Sequence, residues 1–174
     1  MSPEEYRQAV HDHSDRVHAY AAWLLRDLEE ARDVTQDAFM KLWINHALVH
    51  PGAARTWLLK AACRMCMDRV RRRPPRPLGR TIDLGALTHG KGLSPLPDSI
   101  AIDHEQRRAL TEALGALPIR ERALILLREV QNLSYEELSN VLDMPLGSIK
   151  GTLHRARERL REMVLLGESK EVRA

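Results

Sequence analysis

Apolar residues in the first part of the chain recur with the spacing of a helix. Tyr6, Val10, Val17, Tyr20, Leu24 and Leu28 share one face at 3.6 residues per turn, which predicts a first helix over about Ser2 to Asp27. A second helical pattern runs from about Glu29 to Ala47. Pro51 and Gly52 interrupt it, and Trp57, Leu58, Ala61, Met65 and Val70 then mark a third helix that Pro74 and Pro75 stop. No segment alternates apolar and polar residues over a strand's length, so the pattern predicts an all-α fold.

The pattern lapses over residues 75–103, which hold four prolines, four glycines and no aromatic residue. Such a stretch buries too little apolar surface to order itself, and reads as a flexible linker. The chain thus divides into two small helical domains, 1–74 and 104–174. In the second, Leu110, Ala113, Leu114 and Leu117 form one stripe. Pro118 suits the first turn of the next helix, where a missing N–H costs nothing, and that helix carries Ile119, Ala123, Leu126, Leu127 and Val130. Ser134 and Glu137 have the spacing of a capping box at the start of a short helix. A turn through Asp143, Met144 and Pro145 leads into the last helix.

In that last helix Ile149, Leu153, Ala156, Leu160 and Met163 make a single buried stripe. The opposite face presents Lys150, Gly151, His154, Arg155 and Arg161. Glycine inside a helix costs about 0.8 to 1 kcal/mol relative to alanine, so an exposed Gly151 suggests a close approach to the backbone by a phosphate or a base edge. A basic helix face taken alone can simply be solvated. A capped helix, a tight turn and a basic second helix together describe a helix-turn-helix over Ser134 to Arg161 that enters a major groove of DNA.

Charge supports that reading by its position more than its total. The net charge is only +3, but Arg64 to Arg80 holds seven arginines against Asp68, and Lys150 to Arg161 holds five basic residues against Glu158. The N-terminus lacks a basic-then-apolar signal pattern, and the longest apolar run, Ala19 to Leu25, is far short of a membrane span, so a cytoplasmic location is expected without direct membrane insertion. Cys63 and Cys66 form a CxxC, yet a structural zinc needs four ligands and no second pair accompanies it, so buried helical thiols are expected. His46 and His50 straddle a helix end and read as loop residues. With no phosphate loop and no nucleophile–base motif, neither an enzyme, a small-molecule substrate, a cofactor nor a bound metal is expected.

The second helix is unusual in carrying two apolar stripes: Ala31, Val34, Ala38 and Leu42 on one side, Phe39, Met40 and Trp43 on another. The second stripe either meets a protein partner, given Gln36 and Asp37 at its rim, or is buried in the helix's own bundle.

The string Asp33-Val-Thr-Gln36-Asp37-Ala-Phe39-Met40-Lys-Leu-Trp43, then Arg55-Thr-Trp57-Leu58, the run Arg71-Arg72-Arg73, and Leu146-Gly-Ser-Ile-Lys150-Gly151-Thr-Leu-His154-Arg155-Ala-Arg157 resemble the extracytoplasmic-function class of bacterial RNA polymerase sigma factors. The resemblance covers nearly the whole chain outside the linker. It implies a sigma factor that directs promoter-specific initiation, with core RNA polymerase, promoter DNA and an anti-sigma factor as partners. An anti-sigma factor could hold the chain at the inner membrane. The resemblance also implies that Asp33, Gln36, Asp37, Phe39, Met40 and Trp43 dock on the polymerase. Trp57, Lys60, Arg64, Arg71, Arg72 and Arg73 would grip the melted minus-ten element, and Lys150, Gly151, His154 and Arg155 would read the minus-thirty-five element. The linker would thread the polymerase. Two residues depart from the family pattern: Arg64 stands where asparagine is usual, and Asp143 where the turn usually has glycine. A DNA-binding activator or a mimic that only sequesters an anti-sigma protein are the rival functions; the double-stripe helix argues against the first, and the retained basic recognition residues against the second.

Overall fold

The computed structural model describes residues 1–72 and 104–171, with side chains for most of them; the expected linker and Arg73 lie outside the described residues. Every regular element described is helical. Helix α1 (Pro3–Leu25) opens with a capping box: Glu5 N–H donates to Ser2 Oγ (3.2 Å) and Ser2 N–H to Glu5 Oε2 (2.6 Å). It ends at Arg26, whose left-handed backbone (φ 55) reverses the chain into α2 (Leu28–Ile44), capped by Asp27. A 3-10 turn (Pro51–Ala53) leads into α3 (Ala54–Arg72). These three helices pack on one another in pairs, burying Val17, Tyr20, Leu24, Val34, Leu42 and Leu58. A fully buried side chain of this size contributes about 1.5 to 3 kcal/mol, so the three-helix unit has its own core.

The second unit comprises α4 (His104–Ala116), α5 (Ile119–Ile125), α6 (Tyr135–Leu142) and α7 (Leu146–Glu171). Helices α4, α5 and α6 all pack on α7. Pro118 immediately precedes α5, as its missing N–H allows. The uninterrupted helix expected through Val130 instead widens into a π turn over Leu126–Val130, closed by Gln131 N–H to the Leu126 carbonyl at 3.0 Å. Ser134 and Glu137 form the predicted capping box at α6.

Each unit carries its own apolar stripe in the sequence, and the stripes alone predict no contact between the units. In the structure they are docked: α3 lies against α6, and α1 and α3 touch α5, so that the buried residues of both units form one continuous apolar cluster. Polar fasteners cross the seam. Arg122 of α5 donates to the Leu24 carbonyl at the end of α1 (2.9 Å) while also holding the Gly115 (2.8 Å) and Leu117 (3.1 Å) carbonyls. Gln131, almost fully buried, donates to the Arg16 carbonyl (3.3 Å), and Arg55 donates to the Gln131 carbonyl. Among the described residues, no helix is long and apolar enough to cross a membrane.

Candidate functional site

The outer face of α7 takes its form from the stripe beneath it. Ile149, Leu153 and Ala156 are buried, which turns Lys150, Gly151, His154 and Arg155 outward together. The five-residue basic block then divides by role. Arg157 pairs with Glu129 (3.0 Å), Arg159 with Glu121 (2.8 Å) and Arg161 with Glu158 (2.8 Å), so three of these cations serve the fold. Lys150 sits 5.6 Å from the centroid of the Tyr135 ring and Arg155 donates to the Thr152 hydroxyl (3.2 Å), which leaves both guanidinium and ammonium heads at the surface. A Cβ added to Gly151 would meet only Arg155 Nη1, at 3.7 Å. The fold itself therefore does not need glycine there. Gly151→Ala should stabilise the chain by up to about 1 kcal/mol, read as a higher denaturant midpoint, while weakening its binding to DNA; weaker folding would show that the backbone requires glycine.

Trp57, Lys60, Arg64 and Arg71 follow one another along a single face of α3. Trp57 is half-buried and packs on the core. Lys60 Nζ donates to Asn140 Oδ1 (3.0 Å) and Asp143 Oδ1 (2.7 Å), and Arg64 Nη2 donates to Asp143 Oδ2 (2.6 Å). The two departures from the family pattern thus meet each other. Asp143 closes α6 in the left-handed region (φ 51, ψ 46), a conformation aspartate tolerates. Hydrogen bonds from Lys60 and then Arg64 hold its carboxyl below the ordinary range. Because Arg64 and Asp143 are more than half exposed, solvent screens this pair, and it adds at most about 1 kcal/mol. Arg71 pairs with Asp68, and Arg72 is exposed.

The α2 face gathers most of the residues assigned to a protein partner, with one exception. Met40 (54% exposed) and Trp43 (43%) lie open, whereas Phe39 is buried at 7%, so its ring belongs to the core rather than to the exposed stripe. The physical reason is angular: residue 39 projects between Leu42 and Trp43, where Tyr6 and Val10 of α1 line the same groove. Trp43 is held by Tyr6 edge-on (centroids 4.9 Å, 62°) and by stacking on His46 (5.1 Å, 19°). Ile44 and Leu48, at 71% and 86% exposed, extend the open apolar surface beyond the residues that the sequence reading singles out. A further residue it missed is Arg69 of α3, which spans Asp33 (3.8 Å) and Asp37 (3.4 Å) and donates to the Glu30 carbonyl (3.3 Å), fixing the acidic rim; Gln36 is exposed beside it. Only position in the fold distinguishes Arg69 from its basic neighbours.

Cys63 and Cys66 are free, buried thiols of α3, as expected from the sequence, and burial pushes Cys63 up to about 11. His46 Nδ1 lies 2.7 Å from the Trp43 carbonyl and His50 Nδ1 accepts from Gly52 N–H (3.1 Å), so both serve the loop.

Residues 9–74 match the Sigma-70 region 2 family model and residues 107–160 the Sigma-70, region 4 model. The chain is 32% identical over 159 residues to the ECF RNA polymerase sigma factor SigE of Mycolicibacterium smegmatis, covering 89% of this chain but only 60% of that protein. It is 30% identical to the ECF RNA polymerase sigma factor SigX of Bacillus subtilis, with 95% and 87% covered. The fold is shared with the sigma factor RpoE solved in complex with the anti-sigma factor NepR from Bartonella quintana (TM-score 0.68, 23% identity, 92% and 97% covered). It is also shared with CnrH in complex with the cytosolic domain of CnrY (TM-score 0.66, 21% identity, 91% and 86% covered). Taken with the two matched regions and the helix-turn-helix at their end, this similarity establishes that the chain belongs to the ECF class of RNA polymerase sigma factors.

Proposed function

We propose that this chain is a non-catalytic initiation factor that binds core RNA polymerase, directs it to a particular class of promoters and is controlled by an anti-sigma factor. The observation that carries this reading is the coexistence, on one docked chain, of an open aromatic face on α2 and an outward basic face on α7. Residues 1–74 form the domain that grips polymerase and the minus-ten element. Residues 104–174 form the minus-thirty-five domain, and 75–103 join them. Asp33, Gln36, Asp37, Met40 and Trp43 meet the polymerase, with Phe39 supporting them from below. Trp57, Lys60, Arg64 and Arg71 to Arg73 follow the melted strand. Extruding a base costs a few kcal/mol, which stacking and phosphate neutralisation on such a face offset. Lys150, Gly151, His154 and Arg155 read the upstream element in the major groove.

One solved neighbour is in complex with the anti-sigma factor NepR and the other with the cytosolic domain of CnrY, which supports a protein partner of the anti-sigma kind here, acting in the cytoplasm or from the inner membrane. Adding the full chain to sigma-free core polymerase and a genomic promoter library should yield discrete run-off transcripts. Binding to DNA without recruitment of core would instead identify an activator, and binding to neither would leave only a sequestering mimic.

A further inference from the structure

We infer that Lys60 and Arg64 form a single site for a nucleic-acid backbone phosphate, and that Asp143 occupies it as an internal competitor while the two units are docked. The two cations lie one helical turn apart on α3 and converge on one carboxylate, which gives one oxygen to each at 2.7 and 2.6 Å. A phosphate offers the same sign of charge and a comparable pair of oxygens. Asn140 accepts from the same Lys60 ammonium at 3.0 Å, so the ammonium is oriented from the α6 side as well as by Asp143. The arrangement sits at the rim, with Arg64 63% and Asp143 52% exposed, where an incoming polyanion can displace the carboxylate without first unfolding either unit. Asp143 is delivered to this point by the left-handed end of α6, which belongs to the opposite unit. Separation of the units therefore removes the competitor and frees the site in one movement. A site available in only a fraction of molecules binds more weakly by that fraction.

This inference rests on reading α3 as a promoter-facing element, and the test keeps the two apart by using neither promoter nor polymerase. Asp143→Asn removes the charge while keeping a side chain that tolerates the left-handed backbone. Titrated with a short fluorescent single strand of random sequence, the full-length Asp143→Asn chain should bind roughly three- to tenfold more tightly than the parent, the scale expected for losing two partly exposed ion pairs. Glu136→Gln, which neutralises another exposed acid of α6, reports the general gain from a less negative surface and should change affinity little. In a Lys60→Ala, Arg64→Ala background the effect of Asp143→Asn should vanish. The inference is overturned if Asp143→Asn matches Glu136→Gln, or if its gain persists without the two cations. Failure of the parent chain to give run-off transcripts, with this competition intact, would overturn the promoter reading alone.

Discussion

Replacing Trp43 with alanine should weaken binding to core RNA polymerase by about 30-fold or more, corresponding to about 2 kcal/mol, while the chain stays folded. Interface energy concentrates in aromatic residues that are already ordered before the partner arrives. Trp43 meets that condition: it is 43% exposed, yet Tyr6 and His46 fix its ring from two sides. Losing those ring contacts costs the fold only about 1 kcal/mol. Phe39→Ala is the opposing case. Its ring is 7% exposed, so truncation should cost about 3 to 5 kcal/mol of stability through the cavity left behind, and impair binding only by unfolding the face. Urea unfolding together with anisotropy titration against core polymerase separates the two effects. If the Trp43→Ala chain bound core like the parent, the α2 face would lose its assignment.

Arg122→Ala should destabilise the chain by about 3 kcal/mol, the largest stability effect expected from any polar substitution here. One guanidinium satisfies carbonyls of Leu24, Gly115 and Leu117, and the first of these belongs to the other unit. Burial, followed by the nearby charge of Arg26, pushes Arg122 down to about 10, so its value comes from hydrogen bonds and not from an ion pair. Truncation removes the donor from three part-buried acceptors at once. The unfolding curve should also broaden or split, because the contact that couples the units is lost. A single sharp transition within about 0.5 kcal/mol of the parent would show that water replaces the guanidinium freely.

How much of this was legible in the sequence depends on whether an interaction is local. The capping boxes at Ser2 and Ser134 involve residues three apart, and both the partner and the geometry follow from the spacing. The outward face of α7 follows from its stripe in the same way. Arg122, Gln131 and Arg55 act instead on backbone carbonyls across the seam, and a carbonyl has no residue identity for a sequence pattern to reveal. The π turn at Leu126–Val130 likewise leaves the apolar spacing almost unchanged. Phe39 was misplaced because an aromatic beside two stripes can side with either, and only the path of α1 decides it. Arg64 and Asp143 stood out singly as departures from a family pattern; their pairing needed the docked arrangement.

Docking leaves the two faces of the first unit unequally available. The α2 surface around Met40 and Trp43 is open, whereas Lys60 on α3 is only 24% exposed and already engaged from α6. This difference sets an order in time. On the proposed roles, polymerase would meet the α2 face of the closed chain at a rate governed by encounter, because the Trp43 ring needs no rearrangement, while a strand on α3 would first have to displace Asp143, directly or as the units part. Recruitment by α2 and strand engagement by α3 would then be successive events with separate rate constants.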